Sequence, residues 1–448
     1  MTRLRSKKAI VTAVVVALAL TLSLGACDGG GGRSSNGGSN GGGNAGEPVP
    51  LSSGGAAPES VDEIILGYVT SFTGPLSGFT VATKWVDEMC LGVINNEWGG
   101  IEVDGSKKKI RVIYEDTESN VEAAKDIAKA TVLEKKVDIL VGAWTIGNTV
   151  PVSEIGEQYG VPTYILNSPA ESWIAGGGPY YWAMGTLYYT EDLLTNAIGA
   201  FKKLDSNQKV GFVFDGEADN VEISTMLKPM LEEEGFTVYD PGRFAADTED
   251  YADIIRKLQA ENCDLIIANM TGSQFTAAWK QFNDNDYIPK AFNIGKAVRF
   301  QSDVEALGPG LGNGLISEAF WDRSFPFTSP LIGLSCEELA QKWEDGQGSQ
   351  FPATLGYDVS LWEVLSDALK RAGTTEPEAL RRAILETDVD SIYGHLKFDE
   401  NQVAKAPCVA AQWHKGEKWP YEKTIVSAVT MPSIPSEQPF IMPNATQE

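Results

Sequence analysis

A chain of 448 residues in which 61 Asp and Glu outnumber 36 Lys and Arg carries a formal charge of −25, a surface that disfavours nucleic acid and anionic lipid headgroups. Its 43% hydrophobic content is enough for real cores, and its length suggests two domains. Two histidines, His395 and His414, and five cysteines without C-x-x-C spacing exclude most hydrolase and metalloenzyme chemistry, so no cofactor and no metal is expected.

The chain opens with Arg3, Arg5, Lys7 and Lys8, then an uncharged apolar run from Ala9 to Leu22, then Leu24-Gly25-Ala26-Cys27. A charged region, a short apolar region and small residues before a cleavage point read as a bacterial export signal. An uncleaved anchor helix is the competing reading, but about 14 residues are too few for a bilayer core of ~30 Å. Cys27 turns the segment into a lipobox: residues 1–26 are expected to be removed and the Cys27 thiol acylated. That removes four basic residues and no acidic ones, leaving a charge near −29. Residues 27–61, rich in Gly, Ser and Asn, cannot bury enough surface to offset ordering entropy and read as a flexible tether with a reach of roughly 30 Å. The expected location is the extracytoplasmic face of the cell membrane, through a lipid anchor.

Beyond the tether, short β-rich runs alternate with amphipathic helical patterns. Ile64–Val69, Ile110–Tyr114, Val137–Val141 and Pro162–Leu166 read as strands, with helices over Val81–Ile94, Val121–Glu134 and Pro151–Tyr159. The alternation restarts with strands Val210–Phe214, Asp264–Asn269 and Ala291–Ile294 and helices Val221–Glu234, Tyr251–Ala260 and Gln274–Phe282. After Gly314-Leu315-Ile316 come helices near Ser335–Trp343, Tyr357–Arg371 and Pro377–Thr387, then a β-rich stretch from His395 to Trp413. Such repetition predicts an α/β fold of mostly parallel sheets covered by helices on both faces. Cys90, Cys263, Cys336 and Cys408 are either paired in one or two disulfides or isolated buried thiols.

In open α/β sheets ligands bind beyond the carboxyl ends of strands, beside helix N-termini. The first such loop, Ser71 to Phe79, offers Thr73 and Phe79. The second, Gly142 to Thr149, sets Trp144 and Thr145 at a helix start, where Asn148 or Thr149 can equally serve as caps. The third, Asn167 to Trp173, carries Ser168, Ala170 and Glu171. In the second half the loops supply Asp219, Thr271 and Lys296, the last a cation suited to an anionic ligand group. Trp321, Tyr188 and Tyr189 are stacking candidates, although core packing is the commoner fate of such rings. None of these loops has the glycine spacing that a nucleotide requires. Neither a G-x-S-x-G elbow nor a Cys/His arrangement is readable, so binding fits better than turnover.

Several segments, taken in order, resemble a known family. Ile65-Leu66-Gly67-Tyr68 with Thr73-Gly74-Pro75, Asp116-Thr117 with Val121 to Ala130, Val137 to Gly142, and Gly160-Val161-Pro162 are similar to the first lobe of type I periplasmic solute-binding proteins, the branched-chain amino-acid (Leu/Ile/Val-binding) ABC-transporter group. Asp240 to Phe244, Trp279-Lys280-Gln281, Pro289-Lys290, Ile294 to Ala297 and Val304 to Gly308 resemble one branch of it, and the likeness spans about residues 62–425.

The resemblance implies two α/β lobes joined by three hinge crossovers, residues 62–187 plus 319–390 and residues 188–318 plus 391–425, followed by a tail over 426–448. It implies a non-catalytic, monomeric receptor for a small-molecule ligand, an amino acid or organic carboxylate, with ABC permease subunits as partners. Thr145, with Ser168 or Ala170, would take the ligand carboxylate, and Phe79 would cover its side chain. Where amino-acid binders hold an acid for the ammonium this chain has Lys296, a departure that favours an anion. Second-lobe tyrosines of amino-acid binders are absent near Asp219 and Thr271. A ligand-sensing ectodomain without transport and a lipid-anchored hydrolase are the rival classes.

Overall fold

Two seven-stranded sheets organise the chain in the computed structural model, which describes residues 63–436 and 440–444, without the side chains of Ala218 and Asp219. The expected leader, acylated Cys27 and tether lie outside the described residues.

The first run comprises β1 (Glu63–Thr70), α1 (Thr83–Leu91), β2 (Ile101–Val103), β3 (Ser106–Asp116), α2 (Ala124–Lys135), β4 (Ile139–Ala143), α3 (Ile146–Tyr159), β5 (Thr163–Pro169), α4 (Ala170–Gly177) and β6 (Ala183–Tyr188). The second comprises α5 (Thr190–Phe201), β7 (Lys209–Phe214), α6 (Ala218–Glu233), β8 (Thr237–Tyr239), α7 (Ala252–Ala260), β9 (Leu265–Met270), α8 (Gly272–Asp284), β10 (Ala291–Lys296), α9 (Gln301–Ala306) and β11 (Leu315–Ala319). There follow α10 (Cys336–Gln347), α11 (Leu355–Ala372), α12 (Pro377–Leu385), a hairpin of β12 (Asp388–Ser391) and β13 (Gly394–Lys397), then β14 (Val403–Lys405), β15 (Val409–Lys415) and β16 (Tyr421–Ser427).

The first sheet runs β14-β6-β5-β4-β1-β3-β2 and is parallel except at β2. The second runs β16-β15-β11-β10-β9-β7-β8 and is parallel except at β15 and β16. Every residue of β4, β6 and β9 is buried, as expected of parallel strands covered on both faces. The chain passes between the sheets three times: from β6 into α5, from β11 into α10, and from β14 into β15. Thus α10 and α11 return to the first sheet, where α11 packs on α1 and β2.

The boundaries inferred from sequence place Val403–Lys405 with the second lobe, whereas its backbone pairs with β6 in the first sheet, Val403 opposite Gly185. The helix expected from Val81 begins at Thr83 and passes into a π-helical turn over Gly92–Glu97. Strands β2, β6, β8, β12 and β16 and helices α4, α5 and α9 carry no sequence expectation. All four described cysteines are buried free thiols, so no disulfide forms among the described residues.

Candidate functional site

Three strands of the two sheets end in a backbone conformation that side chains other than glycine rarely adopt. Trp144 follows β4 at φ 82°, Asn167 sits in β5 at φ 44°, and Lys296 ends β10 at φ 66°. Each costs on the order of 1 kcal/mol or more, and such strain persists where the surroundings impose it, often at ligand sites. At β5 the distortion coincides with a register slip against β6 between Leu166 and Pro169.

Between these strand ends lies a cavity of about 210 Å³. The first lobe lines it with Phe79, Trp144, Thr145, Pro169, Ser172 and Tyr188. The second contributes Phe214, Asn269, Asn293, Lys296 and Arg299. Phe79 stacks on Trp144 with ring centroids 5.6 Å apart, and its edge meets Phe300 of the opposite lobe at 5.1 Å. Tyr357 holds Trp144 from behind, edge to face at 5.3 Å.

Thr145 occupies the N-cap of α3 yet its side chain makes no capping bond, and its Oγ1 is buried with no partner. Trp144 Nε1 and Asn167 Oδ1 are buried and unpaired in the same way. Buried polar groups are almost always satisfied, so the two orphans on this cavity, Trp144 Nε1 and Thr145 Oγ1, mark the place of a polar ligand group, while Asn167 borders a small void of about 10 Å³ next to Trp144. The first N–H groups of α3 also lack intrahelical partners and carry the positive end of its dipole.

Arg299 reaches the cavity from the loop after β10 and donates Nε–H to Glu318 Oε1. Burial works against its charge as the largest single influence, but the Glu318 carboxylate and Tyr188 together outweigh it and raise the guanidinium above its ordinary value. Burial likewise pushes the Tyr188 phenol up, which keeps it a neutral hydrogen-bonding group. Lys296 and Arg299 therefore place two cations along one wall. Glu222, the acid among the described lining residues, stands exposed.

The other sequence-derived candidates are placed elsewhere. Thr73 is exposed and donates Oγ1–H to Asp116 Oδ2 at 2.7 Å. Ser168 and Ala170 are fully buried, and Ser168 Oγ bonds Thr149 Oγ1 at 3.2 Å; neither lines the cavity, although their neighbours Pro169 and Ser172 do. Glu171 accepts the Thr190 N–H on both oxygens at 3.0 Å and so caps α5. Thr271 forms a capping box with Gln274 at the start of α8. Trp321 lines a different cavity, and the Asp219 side chain lies outside the described residues. Sequence reasoning missed Arg299, Asn269 and Asn293; continuing the strand-end loop three residues past Lys296 would have reached Arg299.

A cleft between two α/β lobes, lined from strand ends and crossed three times by the chain, is the architecture of a known group of receptors. Residues 63–418 match the model of the periplasmic binding protein family. The chain belongs to that family. The Leu/Ile/Val-binding protein homolog 7 of Brucella abortus is 24% identical over 385 residues, 81% of this chain and 92% of the relative. Among solved structures, a leucine-binding protein of Thermotoga maritima superposes with a TM-score of 0.66 at 16% identity, covering 82% of this chain and 99% of the other. An R. palustris ABC-transporter solute-binding protein in complex with 4-hydroxybenzoate gives 0.65 at 17% identity, with 82% and 96% covered.

Proposed function

We propose that this protein is the extracytoplasmic receptor of an ABC importer, capturing a small carboxylate between its lobes, preferably one with an aromatic body, and delivering it to a membrane permease. The relatives admit both amino acids and aromatic acids, since one is a leucine-binding protein and another holds 4-hydroxybenzoate. What favours the acid without an ammonium is that Lys296 and Arg299 line the same cavity as the unpartnered Trp144 Nε1 and Thr145 Oγ1, while the buried Glu318 carboxylate is already committed to Arg299. An α-ammonium would meet two cations and find Glu222, exposed, as the acid among the described lining residues. The Phe79–Trp144 stack supplies the face for a ring.

Binding would draw the lobes together because both contribute contacts, shifting the population to the closed form. Acylated Cys27 and its tether would keep the monomeric receptor near its permease without fixing its orientation. No reaction is assigned to the cavity.

Calorimetric titration of 4-hydroxybenzoate, benzoate and leucine tests the reading: the acids bind and leucine does not. Lys296→Met should weaken acid binding about thirtyfold, the worth of ~2 kcal/mol for a charge-assisted contact; an unchanged affinity would sink the assignment. For the anchor, Cys27→Ala should move the protein from the membrane fraction to the soluble one.

A further inference from the structure

The cleft holds a second and larger cavity, about 330 Å³, on the far side of the Phe79–Phe300 contact. Arg299 lines both chambers, and a void of about 10 Å³ bordered by Phe79, Arg299 and Phe300 lies between them. Packed interiors contain few voids larger than a water molecule, so a space of this size is not a packing fault.

Its walls are aromatic and held in place. Trp413 donates Nε1–H to Val298 O at 2.8 Å, and Trp419 donates its own to Glu344 Oε1 at 2.8 Å. Trp321 meets Phe351 edge to face at 5.7 Å and lies against Gly356 of α11, where a Cβ would come within 2.0 Å of the indole. Phe300 completes the lining toward the first chamber.

The polar groups carry both signs. Lys423 lies over the Trp413 ring at 4.4 Å and directs its ammonium at the Arg299 carbonyl, 2.9 Å away. Asp322, buried, already accepts the Ser324 N–H and hydroxyl on Oδ1. The amide oxygens of Gln301 and Gln350 are buried without a donor. An anion would meet the Asp322 carboxylate, and a cation would meet Lys423 and Arg299. Hydroxyls satisfy both sides, because they donate to the amide oxygens and accept from the ammonium, and the flat faces of a ring suit the aromatic walls.

We propose that this chamber is a second subsite, which takes a neutral hydroxylated ring joined to the acid held in the first chamber, with Phe79 and Phe300 as the gate between them. The joined ligand rests on the carboxylate reading above; the chamber's own chemistry does not.

Three probes separate the two: 4-hydroxybenzoate, 4-carboxyphenyl β-D-glucoside, and phenyl β-D-glucoside, which lacks the carboxylate. The carboxyphenyl glucoside should bind at least tenfold more tightly than 4-hydroxybenzoate. Gln350→Leu and Phe351→Ala should each erase that gain while leaving 4-hydroxybenzoate affinity and the melting temperature in place, which also shows that the variants fold. Phenyl glucoside should bind weakly, sensitive to Phe351→Ala and indifferent to Lys296→Met. If 4-hydroxybenzoate binds but the glucoside gains nothing, or its gain survives both substitutions, the second subsite is refuted. If only phenyl glucoside binds, in a Phe351-dependent way, the carboxylate reading and the joined ligand fall and the hydroxylated-ring subsite stands. Binding by none of the three overturns both.

Discussion

Thr145 shows how one residue can serve the ligand at the expense of the fold. A threonine at an N-cap normally accepts a first-turn N–H, worth ~1 kcal/mol, but here the Oγ1 is buried and unpaired. Replacing such a group by an isosteric apolar one removes a desolvation cost rather than a bond. Thr145→Val is therefore expected to stabilise the ligand-free protein by ~1 kcal/mol in urea unfolding, while weakening 4-hydroxybenzoate binding about tenfold in titration. A variant losing both stability and affinity would assign Thr145 a structural role instead. Thr145 and Lys296 were legible in the sequence because strand-end loops are few and their polar residues can be surveyed. The separation of Ser168 from Ser172 was not legible: the former lies in the irregular end of β5 and is buried, while the latter sits in the first turn of α4 and lines the cavity.

At the level of elements, the packing of α1 against α11 buries a pair of acids. Asp87 accepts Trp362 Nε1–H at 2.6 Å and the Tyr114 hydroxyl at 2.8 Å, and Asp358 of α11 accepts the Thr83 hydroxyl. Burial overrides these bonds and pushes the Asp87 carboxyl up to about 7; it pushes Asp358 up as well, with Asp87 adding to the effect. An unfolded Asp titrates near 3.9, so at intermediate pH the native state holds a proton that the unfolded chain has lost. The stabilisation is complete below pH ~4 and disappears as the pH rises through about 7. Urea midpoints should thus fall between pH 5 and pH 8, by on the order of 2 kcal/mol from Asp87, and Asp87→Asn should flatten that slope. A slope unchanged by the substitution would place the titration elsewhere. The β4-α3 and β9-α8 units were readable because an apolar run followed by an amphipathic stretch has one interpretation. Strand β6 and helix α5 were not: Ala183–Tyr188 is short and bounded by aromatic residues, and only coverage by neighbours on both faces makes it a central strand.

For the whole molecule, the contact between Phe79 and Phe300 bridges the lobes at the cleft, alongside the three crossings and the bonds of Glu344 to Trp419 and Lys418. An aromatic pair adds roughly 0.5–1.5 kcal/mol beyond buried area, and the closed form receives that increment. Phe300→Ala should accordingly lower acid affinity up to about tenfold and enlarge the ligand-free radius of gyration in small-angle scattering. Equal scattering and equal affinity would show that the pair plays no part in closure. By itself the sequence determined the α/β class, the family and the strand-end loops of the cleft, because each is written in local periodicity or in a contiguous segment. Only the tertiary structure decided that β14 joins the first sheet, that Arg299 stands beside Lys296, that Glu318 is already spent on it, and that the cleft has two chambers. Those facts depend on residues far apart in the chain meeting at one place, and no local pattern records which distant partner a side chain will find.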